Sequence, residues 1–141
     1  MKSFPIVMLL LIAGCQHASQ ALSPKVIPSA GCPRMVSVYF NDSSDKLTQD
    51  DKKVLDVFAA CYPAHPHRKV KIAGNTDGLG SPESNLSLST HRAETVFKYL
   101  SKKGVNEANM TAIANASTHP VAPDDNSAGR LQNRRVDVSL E

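Results

Sequence analysis

Gly74-Asn75-Thr76-Asp77-Gly78-Leu79-Gly80, with Asn85-Leu86-Ser87-Leu88-Ser89-Thr90-His91-Arg92-Ala93 just beyond it, is the stretch that decides the fold. Before it, Lys69-Val70-Lys71-Ile72-Ala73 alternates charged and apolar side chains, the pattern of a short half-buried strand. Residues 74–82 are glycine-rich and polar, and read as a loop. From about Ser84 to Lys103 an apolar stripe follows a helical period through Leu88 or Ser89, Ala93, Val96, Phe97 and Leu100. Gly104 suits the stop of such a helix. In this order a loop carboxylate, Asp77, and a first-turns guanidinium on the next helix, Arg92, can face one cavity.

Outward from this unit the chain keeps alternating. Met35–Phe40 places Val36, Val38 and Phe40 on one face of a strand. Thr48-Gln49-Asp50-Asp51 resembles a capping box with Asp in the Glu position. The helix it opens carries Val54, Leu55, Phe58, Cys61 and Tyr62 as its stripe, and Pro63 and Pro66 end it. Met110–Asn115 is a third strand, residues 120–132 read as a polar loop, and Arg135–Leu140 alternates as a closing strand. The order is β-α-β-α-β-β. Helix-length connections between the first three strands favour parallel or mixed pairing. Two helices cover one face of a four-stranded sheet, so an α/β two-layer sandwich is the simplest architecture.

The loop and helix motifs together resemble the OmpA-like peptidoglycan-binding domain. That family carries G-H-T-D-x-x-G, then N-x-x-L-S-x-x-R-A on the following helix. Gly104-Val105, Gly129-Arg130 and Asn133-Arg134-Arg135-Val136-Asp137-Val138 extend the match, which covers about residues 35–141. Two departures stand out. Asn75 replaces the usual His, and the usual G-Y-G-E reads Ala114-Asn115-Ala116-Ser117, which implies a changed loop at the edge of the site.

The resemblance implies that Asp77 and Arg92, fifteen residues apart, form the family's ligand pair, with Asn85 and Thr76 shaping the pocket. The chemistry agrees. Many Gram-negative wall peptides carry diaminopimelate, whose free end is a zwitterion. An Asp suits the ammonium, and the planar guanidinium of an Arg suits the carboxylate. Each residue also has a purely structural reading. Asp77-Gly78 serves as a turn, Arg92 as a bridge to Asp77, and Asn85 as a cap near the helix start. Arg134 and Arg135 more often stabilise this family's fold than touch its ligand.

The N-terminus has its own pattern. Lys2 and an apolar run from Phe4 to Ala13 are too short for a membrane span, which needs about 20 residues, and read as a secretory signal peptide. Leu11-Ile12-Ala13-Gly14-Cys15 resembles the lipobox of bacterial lipoproteins. It implies cleavage after Gly14, diacylglycerol on Cys15 and acylation, such as palmitate, of the new amino terminus. Gln16 in place of Asp resembles sorting to the outer membrane. The expected organisation is a signal peptide over 1–14, a lipid-anchored tether over 15–34, and a periplasmic domain over 35–141. Lipidation of Cys15 would leave Cys32 and Cys61 as an even pair in an oxidising compartment, for which a disulfide is the natural expectation and two free buried thiols the alternative.

Composition narrows the function classes. A formal charge of +3 is weak for a nucleic-acid binder, and three Tyr, four Phe and no Trp give little for base stacking. No G-x-S-x-G, Walker-type loop or H-E-x-x-H motif is present, so no enzyme is expected. His65-Pro66-His67 lacks an evident third ligand, so neither a metal nor a cofactor is expected. The expected partners are peptidoglycan and, through the anchor, the outer membrane. The alternative is a structural subunit of an envelope-spanning secretion or motor complex, with wall binding weak or lost.

Overall fold

The computed structural model describes residues 31–141. The signal peptide, Cys15 and nearly all of the tether lie outside the described residues. Strands β1 (Met35–Tyr39), β2 (Val70–Gly74), β3 (Met110–Ala114) and β4 (Arg135–Leu140) alternate with helices α1 (Gln49–Cys61), α2 (Pro82–Lys102) and α3 (Ser127–Asn133). They form one mixed sheet in the order β1-β4-β2-β3. β4 is antiparallel to both β1 and β2, while β2 and β3 run parallel. The last strand thus inserts between the first two.

Period-2 patterning sorts the faces. Val38 pairs with Val136 and Ile72 with Val138, and all four are fully buried. They meet Leu55 and Phe58 of α1 and Val96 and Leu100 of α2, which together make the core. The other face carries Lys71, Arg135, Asp137 and Ser139. There Arg135 pairs with Asp137 at 3.1 Å. Helices α1 and α2 on one face and polar residues on the other give the two-layer arrangement read from the sequence.

The expected cap is present. The Thr48 hydroxyl accepts from Asp51 N, and Asp51 Oδ2 accepts from Thr48 N at 3.0 Å. Asp51 Oδ1 also accepts from Tyr39 N, which ties the start of α1 to the end of β1. α2 starts two residues earlier than the sequence suggested. Ser81 caps it and Pro82 occupies its first turn, where no amide is needed. Gly104, at φ 93°, ends the turn after α2.

Two expectations need correction. Val54 is surface-exposed, and the buried stripe of α1 runs through Leu55, Phe58, Ala59 and Cys61. The stretch read as a polar loop contains α3. Asn126 caps it by accepting from Gly129 N at 2.8 Å. With seven residues the helix is too short for its period to show.

Cys32 and Cys61 are joined as a disulfide with a Cα separation of 5.4 Å. This links the chain just before β1 to the end of α1. Arg34 O accepts from Leu140 N at the same end of the sheet. The opposite end is formed by the end of β1, the end of β2, the start of α2 and the start of β4.

Candidate functional site

That opposite end holds a pocket of about 200 Å³, lined among others by Asp42, Asp77, Asn85, Arg92 and Arg134. Gly74 lets it form. A Cβ there would lie 2.1 Å from Ser89 O, so only glycine allows the α2 backbone to pack on the end of β2. The Ser89 hydroxyl donates to Leu86 O and accepts from Ala116 N, which holds the loop after β3 against α2.

Asp77 is buried where the loop leaves β2. Its Oδ1 accepts from Leu79 N at 3.3 Å, and its Oδ2 accepts from Arg134 Nη1 at 3.1 Å. Arg92 is 0% exposed and is the largest fully buried side chain. Its Nε donates to Ser44 O at 2.8 Å, Nη1 to Asn75 O at 3.0 Å and Nη2 to Asn41 O at 3.1 Å. Its guanidinium lies 5.2 Å from the centre of the Phe40 ring. Five N–H donors less these three leave one on each terminal nitrogen. Burial, with the nearby Arg134 acting the same way, lowers Arg92 to about 10, against the attraction of Asp77, Asp42 and Asp45. It stays charged at neutral pH.

Asn85, 5% exposed, borders the pocket, and among the described residues its side-chain amide makes no hydrogen bond. It is not the helix cap, which is Ser81. Thr76 is buried beside the site, and its Oγ1 is the one fully buried side-chain polar atom without a partner among the described residues. The structure thus brings Asp77, Arg92 and Asn85 to one pocket, whereas Thr76, expected to shape it, is buried and does not line it. The direct partner of Asp77 is Arg134, which also donates from Nε to Phe40 O at 3.1 Å.

Sequence reasoning missed Arg134 and Asp42 as pocket residues. The paired Arg134-Arg135 held the signal. Arg134 directly precedes β4 and Arg135 opens it, and successive side chains of extended chain point to opposite faces, so only one can reach the pocket. Arg135 faces the open side of the sheet. Asp42 sits in a short polar loop with nothing to distinguish it.

The T-D-G loop is braced by Asp124, in the loop before α3. Gly78 N donates to Asp124 Oδ2 at 2.8 Å, and a Cβ on Gly78 would come within 2.6 Å of that oxygen. Asp124 Oδ1 accepts from Asn133, whose side chain is fully buried. Asn133 also accepts from Val121 N and Ala122 N and donates to Ala122 O, so all four of its hydrogen-bond positions are filled. A Cβ on Gly129 would collide with Pro123 O at 1.8 Å, which explains the glycine of α3.

Neither departure in the sequence lines the pocket. Asn75 Nδ2 donates to Ala73 O, and its Oδ1 accepts from Asn115 Nδ2 at 3.1 Å. The two unusual residues pair with each other. Ala116 takes a left-handed φ of 50°, a position that favours glycine, and its carbonyl accepts from Thr76 N. No group of three or more His, Cys, Asp or Glu among the described residues is placed to hold a metal.

Residues 39–134 match the OmpA family. A peptidoglycan-associated lipoprotein of Pasteurella multocida is 34% identical over 103 residues, 73% of this chain and 69% of that protein. Outer membrane porin F of Pseudomonas fluorescens is 42% identical over 91 residues, 64% of this chain but only 27% of the porin. Among solved structures, the peptidoglycan-associated lipoprotein of Burkholderia pseudomallei superposes with a TM-score of 0.72 at 38% identity, covering 74% of this chain and 89% of that one. The C-terminal domain of Helicobacter pylori MotB does so with a TM-score of 0.69 at 28% identity, covering 74% and 81%. The mixed sheet, the glycine-dependent loop after β2 and the matched residues agree: the chain belongs to the OmpA family.

Proposed function

We propose that this protein binds peptidoglycan non-covalently through the zwitterionic end of a diaminopimelate side chain in the wall peptide. One observation carries the reading. A single pocket of about 200 Å³ gathers two carboxylates, Asp42 and Asp77, and two guanidiniums, Arg92 and Arg134. Such a balanced pocket complements a ligand that carries both charges and nothing larger. Asp77 receives the ammonium. The free N–H groups of Arg92 at the floor, helped by Arg134 at the wall, receive the carboxylate. Asn85 offers an amide that no other described residue uses. The relatives named for peptidoglycan association support the same ligand class.

The reading extends to an outer-membrane lipoprotein anchored through Cys15, with its domain in the periplasm. The disulfide supports this geometry, because it holds the chain entering the domain at the end opposite the pocket. An anchor on one side and the wall on the other then load the domain end to end. Among the described residues no helix is long and apolar enough to cross a membrane. Cys15→Ser should leave an unprocessed precursor; a variant of processed size in outer-membrane fractions removes the anchor from the account.

Co-sedimentation with purified sacculi tests the wall reading. Retention that is lost on Asp77→Ala in a folded protein supports it. A folded wild-type protein that stays in solution overturns it. The second reading, a subunit of an envelope-spanning secretion or motor complex, draws on the structural likeness to MotB and takes first place in that event.

A further inference from the structure

A second and larger groove, of about 650 Å³, opens on the helical side of the domain. It runs between the loop before α1, the first turn of α1 and the C-terminal half of α2. Leu47 and Tyr99 give it an apolar lining, and Lys46, Lys52, Lys98 and Lys102 surround them. Asp45 is the single acid in the lining.

The lysines differ in their commitments. Just outside the lining, Lys103 pairs with Asp56 at 2.8 Å and lies 5.1 Å from the Tyr99 ring centre, while the Tyr99 hydroxyl donates to Asp56. This cluster fixes Tyr99 in place. Lys98 has only a loose contact with Glu94, at 3.8 Å. Among the described residues the ammonium groups of Lys46, Lys52 and Lys102 have no hydrogen-bond or ion-pair partner. Among the described residues, three cations without partners around an apolar lining form a surface whose charge is not balanced from within.

We propose that this groove docks an acidic, amphipathic segment of a partner protein, with Asp or Glu side chains meeting the lysines and an apolar side chain on Leu47 and Tyr99. Charge complementarity selects the occupant. The chain's own residues 1–30 contain no Asp or Glu, so they cannot neutralise it. A polyanion without apolar groups leaves Leu47 and Tyr99 uncovered. A flat bilayer surface does not reach into a recess between two helices. Helix-bounded grooves with an apolar lining and a charged rim are a general mode of peptide recognition. The loop is shared. Asn41 and Ser44 give their carbonyls to Arg92, and Asp45, Lys46 and Leu47 line the groove. A docked partner therefore sits one loop away from the pocket without occupying it. The proposal does not depend on what the pocket binds.

The test uses the purified full chain and a fluorescein-labelled helical peptide of Glu and Leu in amphipathic order, followed by anisotropy. Controls are the same peptide with Gln for Glu, poly-glutamate, and phosphatidylglycerol vesicles. The Glu/Leu peptide should bind saturably and weaken as salt is raised. It should bind about ten-fold or more tighter than the Gln peptide and than poly-glutamate, by the size of effect that several charge contacts give. Lys46→Glu with Lys102→Glu should lose binding by a similar factor at an unchanged melting temperature. Lys46→Ala with Lys102→Ala should give a smaller loss in the same direction, and decides the matter should the reversed pair misfold. The proposal is overturned by no peptide binding, by equal binding to wild type and variants, by poly-glutamate or vesicles binding as well, or by self-association of the chain that the variants abolish, which would make a second copy the occupant.

Discussion

Arg134 Nη1 donates to Asp77 Oδ2 at 3.1 Å, with both side chains largely shielded from water. The carboxylate expected to face a ligand ammonium is thus already held by a protein cation. Shielding makes this pair more consequential than a surface ion pair, because losing one partner strands the other. Arg134 therefore does two things. It orients Asp77, and it adds a second guanidinium to the pocket.

Asp77→Ala and Arg134→Ala should each weaken binding to sacculi about ten-fold or more, equivalent to ~1.4 kcal/mol per decade. The double variant should lose less than the sum, since the two groups act on each other and on one ligand. Co-sedimentation at graded sacculus concentrations gives the three affinities. Additive losses would show that Arg134 acts independently of Asp77.

Arg92 has a structural role besides the binding role proposed for it. It ties the loop after β1, through Asn41 and Ser44, to the end of β2 at Asn75. Arg92→Ala should cost roughly 3–5 kcal/mol, the range for breaking a buried charged network. Arg92→Lys keeps the charge but cannot reach three diverging carbonyls, so it should also lower the melting temperature. Urea denaturation of both variants checks this. A melt within a degree of wild type for Arg92→Ala would contradict the burial argument.

The Cys32–Cys61 bridge spans a sequence separation of 29. Loop-closure entropy over such a length contributes about 3–4 kcal/mol. Cys32→Ser with Cys61→Ser, or reduction of the wild type, should lower stability by that order while leaving the pocket intact, because the bridge lies at the other end. Alkylation of denatured protein before and after reduction reads the thiols directly. Equal labelling would show that no bridge forms.

Asn133 fills four hydrogen-bond positions from a fully buried site. Asn133→Ala should destabilise by roughly 2–4 kcal/mol, since it leaves several buried groups unpaired. Asp124→Ala is milder for the fold. It frees Gly78 N, so it should reduce sacculus retention more than it reduces the melting temperature. Equal effects on both quantities would mean that the loop after β2 does not need this brace.

Much of the fold was legible because periodicity is local. Val70 and Ile72, or Ala93, Val96 and Leu100, show their period within a few residues. What stayed hidden was non-local. The insertion of β4 between β1 and β2 leaves no mark in any one segment. α3 is held by the cap of Asn126, the close approach at Gly129 and the hydrogen bonds of Asn133, not by an apolar stripe. Of the site, the spacing of Asp77 and Arg92 and the position of Asn85 were readable. The Asp77–Arg134 pair joins residues 57 apart and depends on which way the first residues of β4 turn. Asn75 and Asn115 looked like separate losses, yet in the fold they compensate each other.

Calorimetric titration of the folded protein with the tripeptide L-Ala-D-Glu-meso-diaminopimelate, against the same tripeptide ending in L-Lys, tests the central claim most directly. The lysine peptide keeps the ammonium but lacks the second carboxylate of the zwitterion. The expected result is micromolar-to-millimolar binding of the diaminopimelate peptide, about ten-fold or more tighter than the lysine peptide, and lost on Asp77→Ala. Equal affinity for both peptides, or no heat from either with a protein that melts normally, would contradict the assignment of this pocket to diaminopimelate.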